Sequence, residues 1–99
     1  MTVKLHEQAR LDIKRGVAIY DAQSLGLGSY FQTMVIAAID SLQFFPALHP
    51  VIRGYRRMLI DKFPFAAYYK IYKDMVVVFS VLDTRMDPGT INSRLDSLS

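Results

Sequence analysis

The chain contains no cysteine, which excludes disulfides and thiolate metal sites and suits a reducing cytoplasm. Histidine is scarce. His6 and His49 have no Ser, Cys or Glu at a useful spacing, so both read as surface or packing residues rather than catalysts. No His/Asp/Glu cluster has metal-ligand spacing, so neither a metal nor another cofactor is expected. Gly26-Leu27-Gly28 follows no strand and precedes no Gly-Lys-Ser/Thr, which leaves a helix–helix turn rather than a phosphate loop. No apolar run reaches membrane-spanning length, because Asp40, Arg53 and Asp74 interrupt the long ones. Residues 1–10 carry charge without the apolar centre of a signal peptide. The expectation is a cytoplasmic protein with no membrane partner.

What is present points to one domain spanning residues 1–99. A chain of 99 residues that is 52 % hydrophobic can bury a single core without staples, though with little margin. The net charge is +3, and its placement says more than its size. Residues 1–52 balance Lys4, Arg10, Lys14 and Arg15 against Glu7, Asp12, Asp21 and Asp40. Residues 53–99 set eight Lys/Arg against five Asp and hold the whole excess. A basic half suits an acidic protein or a nucleic acid, although a charge of this size is also ordinary for a solvated face.

Residues 2–5 can form a short strand. Over residues 6–23, Ala9, Ile13, Val17 and Tyr20 recur at helical spacing, with Arg10, Asp12, Lys14 and Asp21 mostly off that stripe. Gly26 and Gly28 suit a tight reversal. Ser29 with Gln32 fits a capping box opening a second helix, whose stripe is Phe31, Val35, Ala38, Leu42 and Phe45. Pro46 and Pro50 carry the chain out of this αα-hairpin.

A sheet follows. Residues 53–60 alternate, with Tyr55, Arg57 and Leu59 on one face and Arg56, Met58 and Ile60 on the other. Phe65, Ala67, Tyr69 and Ile71 share one face of the next strand, and Ala66, Tyr68, Lys70 and Tyr72 share the other. Lys73-Asp74 reads as the hairpin turn. Residues 75–82 are apolar and β-branched, as in a central strand covered on both sides. Residues 90–98 read as a short terminal helix that frays. The fold class is therefore α+β, in the order β-α-α-β-β-β, with a helical hairpin packed on a small antiparallel sheet. Arg56, Tyr68 and Lys70 are expected on the more open face. Tyr69 is assigned to the core. Arg56 and Arg57 must point to opposite faces, and the pattern leaves open which faces outward.

Taken in order, these residues resemble a family. Ala9, Gly26-Leu27-Gly28, Phe45-Pro46-Ala47-Leu48-His49-Pro50 and Gly54-Tyr55-Arg56-Arg57 carry the first part of the pattern. Phe63-Pro64-Phe65-Ala66-Ala67-Tyr68-Tyr69, Val76-Val77-Val78 and Thr84-Arg85-Met86-Asp87-Pro88 complete it. Their order and spacing are similar to the RelE/ParE superfamily of bacterial toxins, the small basic partners in type II toxin–antitoxin pairs. The likeness runs from Val3 to about Leu95 and looks like the ParE-like plasmid stabilization group, with Phe65 where tyrosine is usual.

The resemblance implies the fold and divides the activity. One branch looks like ribosome-dependent mRNA endonucleases, the other like poisons of DNA gyrase that act by binding. Both imply an antitoxin partner with an acidic or amphipathic tail. Metal-free RNA cleavage needs a base, an acid and cations for the phosphorane charge. The endonuclease relatives commonly place Tyr or His just past the last strand, where this chain has Asp83, and nothing aromatic follows Phe79. The expectation is thus a growth-inhibiting toxin that acts by binding gyrase. The alternatives are a ribonuclease using Arg56, Lys62 and Arg85 on the ribosome and its mRNA, and a non-toxic relative that still binds the antitoxin. Arg53, Arg56, Arg57, Tyr68, Asp83 and Arg85 are the candidates for holding target or antitoxin.

Overall fold

The computed structural model describes residues 1–98. Strand β1 (Thr2–Leu5) leads into α1 (Glu7–Gln23) and α2 (Leu27–Ser41). Then come β2 (Val51–Ile52), β3 (Tyr55–Leu59), β4 (Phe65–Tyr72), β5 (Met75–Asp83) and α3 (Pro88–Ser97). The strands form one sheet in the order β1-β5-β4-β3-β2. It is antiparallel except at β1, which pairs with β5 in parallel, Val3 opposite Val76. Among the described residues no helix is long and apolar enough to cross a membrane.

Two cores sandwich the sheet. On one face α1 and α2 bury Ala9, Ile13, Tyr20, Phe31, Val35 and Ile39 against Met58, Phe65, Ala67, Tyr69, Val76 and Val78. Tyr20, Phe31, Phe63 and Phe65 meet edge-on or tilted with centroids 4.8 to 6.1 Å apart, geometry that adds about 0.5–1.5 kcal/mol per pair beyond area burial. On the other face α3 lays Leu95, with Ile91 and Leu98, over Tyr55, Ala66, Tyr68 and Leu82. A β-bulge at Tyr68/Tyr69 shifts the register, so Tyr69 faces Val78 and Tyr68 faces Ser80. Phe79 and Ser80 consequently both turn toward α3, which lets β5 serve the two cores in sequence.

Several local expectations are corrected. The terminal helix starts two residues earlier than expected and is packed down: Asp87 caps it, accepting from Thr90 N–H at 3.2 Å, Pro88 opens it, and Leu95 is buried. It therefore covers the face expected to be open. Tyr68 is buried beneath it, and Lys70 lies 4.4 Å over the Tyr55 ring. Arg56 is on the hairpin side with Met58, and Arg57 is on the α3 side, opposite Tyr68 in register. The Ser29/Gln32 capping box does not form. The second helix begins three residues earlier, at Leu27 after Gly26 in the left-handed region (φ 88°), and the Asp21 carboxylate of α1 accepts the Gly28 N–H at 2.7 Å. Gly28 has ordinary helical backbone and is needed for close approach rather than reversal. Phe45 lies in water because α2 stops at Ser41, before the prolines, and Ile39 is buried instead.

Asp12, expected off the apolar stripe, is the most connected polar side chain of the core. Strand β1 leaves β5 after Leu5, and His6 N–H makes a last bond to Val78 O at 2.8 Å. Beyond that point Asp12 takes the place of a strand. Its carboxylate accepts from Val81 N–H at 3.0 Å, Ser80 Oγ at 2.7 Å, Gln8 Nε2 at 3.0 Å and Arg94 Nη1 at 2.8 Å. The Asp12–Arg94 pair thus spans the sheet edge and ties α1 on one face to α3 on the other.

Candidate binding cleft

Beside that tie lies a cleft of about 290 Å³ between α1, the end of β5 and α3. Tyr20, Phe65, Val81 and Met86 give it an apolar floor, and Arg15, Arg85 and Arg94 bring cations to it. Its carboxylates are engaged. Asp12 holds Arg94, and Asp83 grips Arg85 twice, Nε to Oδ1 at 3.0 Å and Nη2 to Oδ2 at 2.7 Å. Asp83 Oδ1 also accepts the Arg85 backbone N–H at 2.8 Å. Arg94 and Arg85 are thereby neutralised, and Arg15 leaves the cleft a net charge of +1, which suits an anionic group carried on an apolar body.

The Arg85 hydrogen bond is the main reason that the Asp83 carboxyl titrates below its ordinary 3.8; partial burial opposes it. A depressed carboxyl stabilises the fold above pH 3.8, and that contribution is lost as pH falls through the folded value. Arg85 is largely exposed, so the contribution is small and screened by salt. Arg85→Ala is expected to return the Asp83 midpoint toward 3.8 in a carboxyl-carbon NMR titration. An unchanged midpoint would show that the pair does not persist in solution.

The remaining candidates lie elsewhere. Arg57 Nε donates to Tyr68 Oη at 3.2 Å on the α3 side. Arg56 Nη1 donates to the His49 and Ala47 carbonyls, at 2.8 and 3.3 Å, on the hairpin side. Arg53 occupies the β2–β3 turn at positive φ and pairs with Asp96 of α3 at 2.7 Å. Lys62 is exposed in the β3–β4 turn, also at positive φ. Of the residues singled out in the sequence, the cleft therefore gathers Asp83 and Arg85, while Arg53, Arg56, Arg57, Lys62 and Tyr68 do not line it. His49 packs edge-on against Tyr69 at 6.2 Å, and burial, helped by Arg56, lowers its pKa below 6.5. Burial raises the Tyr69 hydroxyl, which donates to Pro46 O. Among the described residues no group of His, Cys, Asp or Glu could hold a metal ion.

Arg15, Arg94 and Met86 line the cleft but are not among the site candidates of the sequence. For Arg94 the signal was the spacing of Ile91, Leu95 and Leu98 behind Asp87-Pro88, which marks a capped amphipathic helix able to bring it back to α1.

A chain in the solved structure of the chromosomal ParDE TA system from P. aeruginosa superposes on this one with a TM-score of 0.74. The match covers 82 % of this chain and 92 % of that chain, at 16 % identity. The fold is RelE/ParE-like. No protein-family model matches the chain, and no curated protein matches it in sequence. The RelE/ParE-like frame accounts for the helical hairpin, the mostly antiparallel sheet and the parallel first strand; at this identity the likeness is one of fold.

Proposed function

We propose that this chain is the toxin of a type II toxin–antitoxin module, ParE-like, and that it acts by binding DNA gyrase. The observation that carries the reading is the fold shared with the ParDE structure over most of both chains. The chemistry of the cleft agrees with it. Both carboxylates are committed to arginines, and the cationic rim over an apolar floor is built for holding rather than for proton transfer. The antitoxin partner would place an acidic, partly apolar segment across such a surface, with an association rate that falls as salt rises.

Expression without a partner protein is expected to arrest growth, and the purified chain is expected to inhibit gyrase supercoiling or to stabilise gyrase-cleaved DNA. Normal growth would identify a non-toxic, antitoxin-binding relative. Growth arrest with unaffected gyrase, accompanied by mRNA cleavage at ribosomes, would replace the gyrase reading with an endonuclease. In that case charge removal at Arg56, Lys62 and Arg85 would abolish cleavage.

A further inference from the structure

Tyr20 is 9 % exposed, and its ring is wedged among those of Phe31, Phe63 and Phe65, with centroids 5.2, 4.9 and 6.1 Å away. A buried tyrosine hydroxyl ordinarily finds a hydrogen-bond partner. Among the described residues the Tyr20 hydroxyl has none, and the three phenyl rings keep it from swinging toward one. Among the described residues no fully enclosed side-chain oxygen or nitrogen lacks a partner. The Tyr20 oxygen is therefore not sealed in, and it opens on the cleft that Tyr20 lines. Arg15 lines the same cleft from the same helix. Its guanidinium meets no carboxylate among the described residues, whereas those of Arg85 and Arg94 are paired. One fixed hydroxyl donor and one unpaired cation thus face one cavity.

Size and charge narrow what fits. The cleft of about 290 Å³ is close to the lower limit of ligand pockets, roughly 300 Å³. At ~30 Å³ per water-sized atom it has room for about ten non-hydrogen atoms. The surplus charge of +1 matches a monoanion, and a phosphate dianion would exceed it. The floor of Phe65, Val81 and Met86 asks for an apolar body behind that charge. A protein segment laid here as a strand would need main-chain partners, and the end of β5 offers few. Val81 N–H is taken by Asp12, Thr84 N–H by the Pro64 carbonyl, and the Asp83 carbonyl by Met86 N–H.

We infer that this cleft is a binding site for a small amphipathic carboxylate, a medium-chain or aryl acid, whose head takes the Tyr20 hydroxyl proton as a hydrogen bond and pairs with Arg15. Its apolar body lies on Phe65, Val81 and Met86. The inference does not rest on the toxin reading, and its test uses neither gyrase nor cells, so its failure leaves that reading standing. Titration calorimetry of the purified full chain with decanoate is expected to fill one site with a Kd on the order of 100 µM. Octanoate, two CH₂ groups shorter, should bind about tenfold more weakly, and decan-1-ol, which lacks the charge, at least about tenfold more weakly. Tyr20→Phe keeps the ring and should weaken decanoate about tenfold, with the melting temperature unmoved because the hydroxyl has no partner in the fold. Arg15→Gln, at an exposed position, should weaken it about threefold. No saturation by about 1 mM decanoate, an alcohol that binds as tightly as the acid, or an affinity unchanged in Tyr20→Phe overturns the inference. So does a Tyr20→Phe chain of lowered stability, which would show that the fold uses this hydroxyl. Binding of a peptide rich in Glu and Leu by a chain that ignores decanoate would give the cleft to a protein partner and likewise overturn it.

Discussion

Asp12→Ala is expected to cost about 3 kcal/mol of folding stability, the largest loss among the substitutions considered for this chain. Alanine leaves Val81 N–H and Ser80 Oγ without their acceptor and strands the Arg94 guanidinium beside the sheet edge. Asp12 is almost wholly enclosed, whereas Arg94 keeps partial access to water. The cost therefore falls toward the lower end of the range for breaking a buried pair. Urea unfolding should show the midpoint drop, and the melting temperature should fall by roughly 15 °C for a domain of this size. The double variant Asp12→Ala/Arg94→Ala should lose less than the sum of the single changes, because the two groups meet directly at 2.8 Å. A loss below about 1 kcal/mol for Asp12→Ala would mean that water replaces these bonds freely.

Gly28→Ala is the second large effect. In an ordinary helix this change gains about 1 kcal/mol from propensity. Here the new Cβ would collide with the Val17 carbonyl oxygen and stand 2.6 Å from the Asp21 carboxylate that accepts the Gly28 N–H. The colliding atom is α1 backbone, which cannot rotate away, so the two helices must move apart. Overpacking of this kind costs about 1–3 kcal/mol, and the weakened charge-assisted bond adds about 1.5 kcal/mol more. The net loss expected is about 2–3 kcal/mol, opposite in sign to the propensity gain. Gly26→Ala serves as the contrast. Nothing lies near its Cβ, and only the left-handed backbone at φ 88° opposes it, a strain of about 1 kcal/mol. Denaturant titration of the two variants separates packing from backbone strain: equal losses would sink the close-approach argument.

These positions also show what the sequence can and cannot say. The stripe of Ala9, Ile13 and Tyr20 and the alternation of Phe65, Ala67 and Tyr69 are local, and local periodicity locates the hairpin core in the sequence alone. Asp12 is different. Of its four partners only Gln8 is local, and the others sit 68, 69 and 82 residues away, so its neighbours in the chain do not mark it as buried. The placing of Arg56 and Arg57 turns on register, and register turns on a pairing, Arg57 opposite Tyr68, that single-strand alternation leaves undetermined. Tyr68 was misplaced for a related reason. Alternation correctly set it on the face away from the helical hairpin, but the lid over that face is α3, whose docking depends on the long-range bonds of Arg94 to Asp12 and of Tyr55 to the Leu95 carbonyl. The cleft inherits the same difficulty, since it lies where three distant segments converge. Asp83 and Arg85, singled out in the sequence for a strand-end position and a charge, line this cleft; Arg15 and Arg94 line it too and were not singled out.

The parallel pairing of β1 with β5 has a consequence for how the protein comes into being. Thr2 to Leu5 are made long before their partners, Met75 to Val78. The carboxylate of Asp12 waits longer still, for Ser80, Val81 and Arg94. Contacts of such separation form late and slowly compared with the α1–α2 hairpin. A nascent chain that stops before residue 75 can therefore make the helical hairpin and the β3–β4 ladder, but neither the sheet that seats β1 nor the cleft at its far end. Whatever this surface holds, it is assembled only once Arg94 has been made, and chains ended before that residue lack it.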